Sequence, residues 1–207
     1  MAARLWIGGA TDAGKTTQAR RLAEAHNLAL YECDRADAPQ HERLAAASPE
    51  WRAFMDQSLE ERWVKPTPAV LAERSLASFA ARFPLIRDDL EALERSGRPV
   101  LAEGFCLTPD LVAPHLHDAR RAIWLLPSEG FKRTAWARRG KPSWRDKVSD
   151  PERGARNLFE RDLLLAAEVA RQAKAHGFDT LVIDGTRSEE DIAATLEARF
   201  APFLDSP

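Results

Sequence analysis

The chain has 207 residues, of which 44% are hydrophobic and 30% are charged, and its formal net charge is −2. This length and composition fit one globular domain with a small insertion, and the near-neutral charge gives no sign of a nucleic-acid or membrane partner. The two cysteines, Cys33 and Cys106, lack metal-ligand spacing and suit a reducing compartment. We therefore expect a cytoplasmic protein that binds neither nucleic acid nor a membrane. Its oligomeric state is not indicated.

Five short apolar runs predict strands, at residues 5–8, 28–32, 99–103, 122–126 and 180–184. The runs are continuous rather than alternating, which is typical of strands buried on both faces of a parallel sheet. Helical patterns separate them, so we predict a doubly wound α/β fold with right-handed crossovers. In such folds, ligands bind at the carboxyl ends of the strands.

A phosphate-binding motif follows the first predicted strand. Residues 9–16 fit G-x-x-x-x-G-K-[ST], and residues 16–26 predict the helix that this P-loop requires. Its glycines let successive N–H groups point at an anion, and the helix N-terminus adds positive potential. We expect Lys15 to reach the β- and γ-phosphates, Thr16 to ligate Mg²⁺ and Thr17 to contact the α-phosphate. The loop residues expected to hold the nucleotide are Gly9, Asp12, Ala13, Gly14, Lys15, Thr16 and Thr17.

Two spans are too long for simple crossovers. Residues 35–98 contain several prolines and predict a helical insertion over the acceptor side, with His41, Arg43, Arg62 and Arg74 as polar candidates. Residues 138–156 are basic and interrupted by glycine and proline, which predicts a mobile lid or, alternatively, a solvated charged connection. A long helix over residues 157–176 is predicted to follow the lid.

Missing motifs narrow the class of P-loop protein. The sequence has no N/T-K-x-D base-reading motif of a GTPase, and no ABC-type signature or Asp-Glu strand end. The chain resembles the group of P-loop kinases that contains adenylate kinase, shikimate kinase, gluconate kinase and the chloramphenicol phosphotransferases. Four segments in the same order carry this resemblance, at residues 9–17, 31–34, 103–105 and 182–188.

The resemblance implies a three-layer P-loop NTPase fold, whose five-stranded parallel sheet has the order 2-3-1-4-5. It implies ATP and Mg²⁺ as cofactors, with Glu103 as a second metal ligand and with adenine held by the backbone of Gly185, Thr186 and Arg187. The sequence departs from the adenylate kinase pattern at two positions. Asp12 replaces a usual glycine, so we expect its carboxylate to point outward or toward the acceptor, and Glu103 replaces an Asp.

The resemblance also implies a catalytic role for Asp34, directly after the second strand, where a carboxylate can accept or orient the proton of an attacking hydroxyl. A helix-capping role for Asp34 remains open. Asp37, which we interpret mainly as a helix cap, and Glu103 are the alternative candidates for handling this proton. Arginines in or after the lid would cap the transferred phosphoryl group. We favour Arg138, Arg139 and Arg156 over Arg153 and Arg161.

These features favour an ATP-dependent phosphotransferase that acts on a hydroxyl of a small molecule. A nucleoside or nucleoside monophosphate kinase is the alternative among enzymes, because the insertion is large enough to bind such an acceptor. A nucleotide-binding regulatory module that hydrolyses ATP slowly, if at all, is the alternative from another class.

Replacing Asp34 with Asn tests the catalytic assignment. If its carboxylate handles the acceptor proton, ATP affinity stays at the wild-type value while turnover falls by roughly two or more orders of magnitude. Calorimetric ATP binding and steady-state kinetics measure the two quantities. Unchanged turnover would contradict the assignment.

Overall fold

The computed structural model describes residues 4–138 and 143–204. Its central feature is a parallel sheet of five strands in the order β2-β3-β1-β4-β5. The strands are β1 (Arg4–Gly9), β2 (Ala29–Glu32), β3 (Val100–Glu103), β4 (Ala122–Pro127) and β5 (Thr180–Ile183). The expected α/β P-loop fold, with its strand order 2-3-1-4-5, is confirmed.

Helices connect the strands and form the whole of the insertion. They are α1 (Lys15–Ala25), α2 (Cys33–Ala47), α3 (Pro49–Met55), α4 (Pro68–Glu94), α5 (Pro109–Val112), α6 (Glu129–Arg138), α7 (Pro151–His176) and α8 (Glu189–Leu204). A π-helical turn spans Glu60–Val64, and 3₁₀ turns span Ala113–His115, Ala119–Arg121 and Arg145–Lys147. None of the helices within the described residues is both long and apolar enough to cross a lipid bilayer.

The sheet has a hydrophobic core on each face, because successive side chains of a strand point to opposite sides. Trp6 of β1 faces α4, where its ring stacks on Phe83 with a centroid distance of 6.4 Å. Leu5 and Ile7 face the other way and pack in a cluster that includes Phe200 of α8. Two helical layers therefore enclose the sheet and hold its carboxyl edge in place.

Burial on both faces holds for the central strands but not for β5. Val182 is 56% exposed, whereas Leu181 and Ile183 are buried in the cluster with α8. β5 is an edge strand of the sheet, and the described helices cover only the face that carries Leu181 and Ile183. Val182 is therefore exposed because β5 lies at the edge of the sheet, although the composition of the strand is apolar.

Helix α7 begins at Pro151 rather than at residue 157, so the predicted helix start is wrong. The Asp150 side chain accepts a hydrogen bond from the amide of Arg153, and Pro151 fits the first helical position. The predicted lid, 138–156, therefore includes the last residue of α6 and the first turn of α7. Pro39 and Pro84 also lie inside α2 and α4 without ending them, because buried neighbours such as Phe83 hold the helix against the sheet.

Gly9 fixes the point where β1 enters the P-loop. Its φ is +120°, and a Cβ atom there would lie 2.1 Å from the carbonyl oxygen of Leu125 in β4. Because neither the backbone angle nor β4 can adapt, we expect Gly9→Ala to lower the free energy of unfolding by about 3 kcal/mol or more. Denaturant-induced unfolding measures this change.

Gly130→Ala is the matched control. Gly130 is exposed on α6, and a Cβ atom there would meet no heavy atom within 4 Å. We expect this variant to be as stable as wild type or more stable by up to about 1 kcal/mol. Equal stability of the two variants would contradict the role given to Gly9.

Candidate functional site

The P-loop connects the end of β1 to the start of α1 as an open turn. Gly14, which precedes α1, has a left-handed φ of +74°, and a Cβ atom there would meet nothing within 4 Å. Among residues 4–138 and 143–204, no side chain forms a capping hydrogen bond at the N-terminus of α1. The amide groups of this turn are thus available to an anion of phosphate size, as the helix N-terminus favours.

Lys15 is folded over the loop and largely buried. Its Nζ donates a hydrogen bond of 2.6 Å to the carbonyl oxygen of Ala10. Burial lowers the pKa of Lys15, although the negative charges of Glu103, Asp34 and Asp12 oppose this shift. The ammonium is therefore held among carboxylates at the carboxyl edge of the sheet, next to the phosphate turn.

Thr16 and Glu103 lie next to each other, as a shared metal site requires. The Thr16 hydroxyl donates a 3.1 Å hydrogen bond to Oε1 of Glu103, which is 1% exposed. Burial raises the pKa of Glu103 above its usual range, against the opposing effects of Lys15 and Thr16. A hydroxyl and a carboxylate are oxygen ligands that suit Mg²⁺, which also takes water and phosphate oxygens. Within the described residues, no group of three or more His, Cys, Asp or Glu side chains is arranged to hold a metal ion.

Asp34 lies on the side of the site that carries Lys15 and Glu103. It is exposed in the first turn of α2, and its charge acts on both Lys15 and Glu103. It is not among the residues that line the large cavity beside the P-loop. One helical turn further on, Asp37 does line that cavity.

The cavity has a volume of about 730 Å³ and lies between the P-loop, the insertion, the segment after β3, α6, α7 and the residues Ser143 and Trp144. We call it the acceptor cavity. The P-loop contributes Thr11, the insertion contributes residues of α2, α3, the π-helical turn and α4, and α7 contributes Arg161 and Asp162. Its volume is in the range that small-molecule sites occupy.

A buried polar cluster at the α2–α4 contact holds Asp37 in this cavity. Arg82 of α4 is 2% exposed and forms an ion pair with Asp37. His41 lies with Nδ1 3.3 Å from Oδ2 of Asp37 and with Nε2 2.9 Å from the Ser78 hydroxyl. Burial alone raises the pKa of Asp37, but His41 and Arg82 outweigh it and hold the pKa below its usual range. The cavity wall thus presents an ionised carboxylate.

A second buried cluster ties the P-loop to α6 and α7. Lys132 of α6 is fully buried, and its Nζ lies 2.6 Å from Oγ1 of Thr11, 2.9 Å from Oδ2 of Asp12 and 3.1 Å from Oδ2 of Asp162. Arg161 donates from Nε to Oδ1 of Asp162 at 2.9 Å. Burial raises the pKa of Asp162, but the lowering effects of Arg161 and Lys132 are larger, so the pKa lies below its usual range.

This cluster contradicts the expectation for Asp12. The side chain of Asp12 is only 5% exposed and points inward to Lys132, not to solvent or into the acceptor cavity. The buried ammonium neutralises a carboxylate that would otherwise repel phosphate. Because Lys132 lies 120 residues further along the chain, the sequence gives no local sign of this partner.

The described part of the lid is packed against the insertion. Trp144 stacks on Trp63 with a centroid distance of 5.7 Å and an interplanar angle of 9°. Gly154 allows this position, since a Cβ atom there would lie 2.9 Å from the Trp144 ring. The Asn157 side chain donates hydrogen bonds to three carbonyl groups of the insertion, those of Trp63, Val64 and Pro66.

The predicted lid arginines are not brought together at the cavity. Arg138 and Arg156 are exposed and do not line it, and Arg139 lies outside the described residues. Arg161, which the sequence analysis ranked lower, does line it. The roles of all four in phosphoryl transfer remain predictions.

The predicted adenine segment forms an exposed turn between β5 and α8. Gly185 has a φ of +87°, and Oδ1 of Asp184 accepts hydrogen bonds from the amide and hydroxyl of Thr186. Arg187 is exposed. The Gln18 side chain, on α1, donates to the carbonyl oxygen of Glu189 at the start of α8. The turn is thereby linked to the helix that follows the P-loop, and its contact with adenine remains a prediction.

Sequence reasoning missed Lys132, Arg82 and Asp162 altogether. Each lies inside a helix, at a position that belongs to no motif, and single charged residues on helices are usually solvated. Only Asp37 gave a signal, as the second acid after β2, but it was interpreted mainly as a helix cap.

No protein-family model matches this sequence, and the comparison with curated proteins gives no match. Among solved structures, an uncharacterized protein from Eubacterium ventriosum is 14% identical with a TM-score of 0.47, covering 99% of each chain. Shikimate kinase from Acinetobacter baumannii, in complex with shikimate, is 18% identical with a TM-score of 0.46, covering 99% of this chain and 97% of that one. Identities and scores this low identify no substrate for this chain.

The chain's own geometry defines its class. A P-loop between the central strand and α1, in a parallel sheet of order β2-β3-β1-β4-β5, is an α/β P-loop fold. The acceptor cavity and the two buried clusters are features of this particular chain.

Replacing Lys132 with Met tests the buried cluster. The variant leaves two buried carboxylates short of a cation, so we expect it to lose about 3–5 kcal/mol of unfolding free energy. Denaturant-induced unfolding gives this quantity. The control is Arg133→Met, at an exposed position on the same helix whose ion pair with Glu129 is on the surface, for which we expect a change of less than about 1 kcal/mol.

A double variant separates charge from packing. Adding Asp12→Asn to Lys132→Met removes one of the two buried negative charges, so part of the lost stability should return. A Lys132→Met protein as stable as Arg133→Met would show that the cluster does not hold the loop.

Proposed function

We propose that the protein is an ATP-dependent phosphotransferase that moves the γ-phosphoryl group of ATP to a hydroxyl of a small molecule. The observation that carries this proposal is that the P-loop and the acceptor cavity share a wall at Thr11. A donor site and an acceptor cavity in direct contact are what phosphoryl transfer needs, because its catalysis consists mainly of positioning and charge stabilisation.

The donor half comprises the P-loop amides, Lys15, Thr16 and Glu103. ATP would supply the phosphoryl group, and Mg²⁺ would offset the charge on its phosphates. In this proposal Lys15 leaves the carbonyl oxygen of Ala10 and binds the β- and γ-phosphates, while Thr16 and Glu103 hold the metal through their oxygen atoms. The 3.1 Å contact between Thr16 and Glu103 supports this arrangement.

The acceptor half centres on Asp37. As the acceptor oxygen bonds to the γ-phosphorus, the bond to the ADP oxygen breaks, and the carboxylate of Asp37 accepts the hydroxyl proton and later releases it to water. Its place on the cavity wall supports this role, and Arg82 keeps it ionised. Arg161, whose guanidinium lies over the Trp63 and Phe105 rings, would face the charge that develops during transfer. We assign Asp34, on the nucleotide side, to the electrostatics of Lys15 and the metal.

A nucleoside monophosphate kinase is the second candidate, because four arginines line the described part of the acceptor cavity. Arginine is a preferred ligand for phosphate groups. A cavity of ligand size beside the P-loop argues against a regulatory module that only binds nucleotide.

Comparing Asp37→Asn with Asp34→Asn decides which carboxylate handles the acceptor. We expect Asp37→Asn to lower kcat by roughly a hundredfold or more, with ATP affinity unchanged, and Asp34→Asn to weaken the dependence on Mg²⁺ instead. The measurements are steady-state kinetics with an acceptor library and calorimetric binding of ATP. Lys15→Met serves as the control that loses the donor site.

Two results would contradict this proposal. Tight ATP binding without turnover of any acceptor supports the regulatory module. Transfer to nucleoside monophosphates alone supports the second candidate. Such acceptors need no base, so the role proposed for Asp37 would fall.

A further inference from the structure

The acceptor cavity carries excess positive charge. Its described lining holds two aspartates and four arginines, namely Asp37, Asp162, Arg62, Arg74, Arg82 and Arg161. Each aspartate is paired with an arginine, Arg82 or Arg161. Arg62 and Arg74 have no ion-pair partner among residues 4–138 and 143–204.

Both of these arginines are partly buried and bonded only to neutral groups. Arg62 donates from Nη2 to the carbonyl oxygen of Met55, and Arg74 donates from Nη1 to that of Glu61 at 3.3 Å. On the same wall the buried Nε of Arg62, which is a donor, has no hydrogen-bond partner within the described chain. Partly desolvated cations without a counter-charge are unfavourable, so this wall is incomplete until an anion reaches it.

Aromatic residues form the largest group in the rest of the described lining. Six aromatic side chains surround the cavity, those of Phe54, Trp63, Phe79, Phe105, Trp136 and Trp144. Trp63 and Trp144 lie nearly parallel, and Phe79 meets Phe105 edge to face at 5.0 Å. Such side chains favour the binding of a ligand with a flat ring, through stacked and edge-to-face contacts.

Ring contacts also connect the guanidinium of Arg62 to the carboxylate of Asp37. Asp37 touches His41, the His41 and Phe54 rings are 6.2 Å apart, and the Arg62 guanidinium lies 5.9 Å from the Phe54 ring centre. A ligand that reaches from Asp37 to Arg62 therefore passes the His41 and Phe54 rings between its hydroxyl and its anion.

We infer that the acceptor is a compound that contains a hydroxyl group, an aromatic ring and an anionic group, either carboxylate or phosphate. This inference rests on the proposed function. The ring packs against the tryptophan pair, the anion pairs with Arg62 and Arg74, and the hydroxyl faces Asp37. The transfer itself is unchanged: the hydroxyl oxygen gains the phosphoryl group, ADP leaves, and Asp37 takes the proton.

A matched set of probes tests the acceptor class by calorimetry without nucleotide. The set contains the isomeric (hydroxymethyl)benzoates, the corresponding (hydroxymethyl)phenyl phosphates, the neutral (hydroxymethyl)benzamides and the non-aromatic (hydroxymethyl)cyclohexanecarboxylates. We expect the best anionic aromatic probe to bind about tenfold or more tightly than its amide and its cyclohexane counterpart. The benzoate and phosphate arms identify which anion the site prefers.

Variants separate the two determinants. Arg62→Met and Arg74→Met should remove most of the preference for benzoate over benzamide, while Trp144→Leu should remove the preference for benzoate over the cyclohexane analogue. Arg52→Met, at an exposed position on α3 outside the cavity, should leave both preferences at wild-type values. A variant that merely misfolds would weaken every probe together and lose ATP binding.

The inference is overturned if no anionic aromatic probe binds better than its two counterparts, or if nucleoside monophosphates bind and these probes do not. Its failure is distinguishable from that of the proposed function. Turnover of neutral acceptors alone contradicts the inference but keeps the kinase. Tight binding of the anionic aromatic probes without phosphoryl transfer contradicts the kinase but keeps the inference.

Discussion

The buried ammonium of Lys132 is the interaction on which the site depends. It is fully enclosed and bonded to Thr11 and Asp12 of the P-loop and to Asp162 of α7. A buried cation is tolerated only where several oxygen atoms surround it, and each of those oxygens must then stay in place. The P-loop, α6 and α7 are thus fixed relative to one another, which sets the distance between the phosphate turn and the acceptor cavity.

The second buried cluster fixes the other side of the cavity by the same physics. Arg82 connects Asp37 to Gln40 and to the backbone of Cys33, so the start of α2 cannot shift without breaking a desolvated ion pair. Both clusters are close to charge balance. Arg62 and Arg74 of the cavity wall have no such balance within the described residues, and in our proposal these are the charges that a ligand would pair with.

Much of the fold could be predicted from the sequence because its signals are local. Continuous apolar runs predicted all five strands, and the loop glycines with Lys15 and Thr16 predicted the phosphate turn. The start of α7 was predicted too late because glycine and proline, here Gly154 and Pro151, are typical of loops. In the structure Pro151 is the first residue of the helix, and Gly154 makes room for Trp144.

The sequence by itself determined the parallel α/β class and the P-loop, since apolar runs and motif spacing specify these. The strand order and a metal site shared by Thr16 and Glu103 were implied by the resemblance to P-loop kinases. The tertiary structure alone decided that Asp37 rather than Asp34 lines the acceptor cavity, and that Asp12 points inward. Asp34 and Asp37 are three residues apart, but the side chain that reaches the cavity depends on where α4 places Arg82 against α2. Asp12 depends on a lysine 120 residues away. Long-range charge pairing leaves no periodic or local pattern, and for that reason it becomes visible only once the chain has folded.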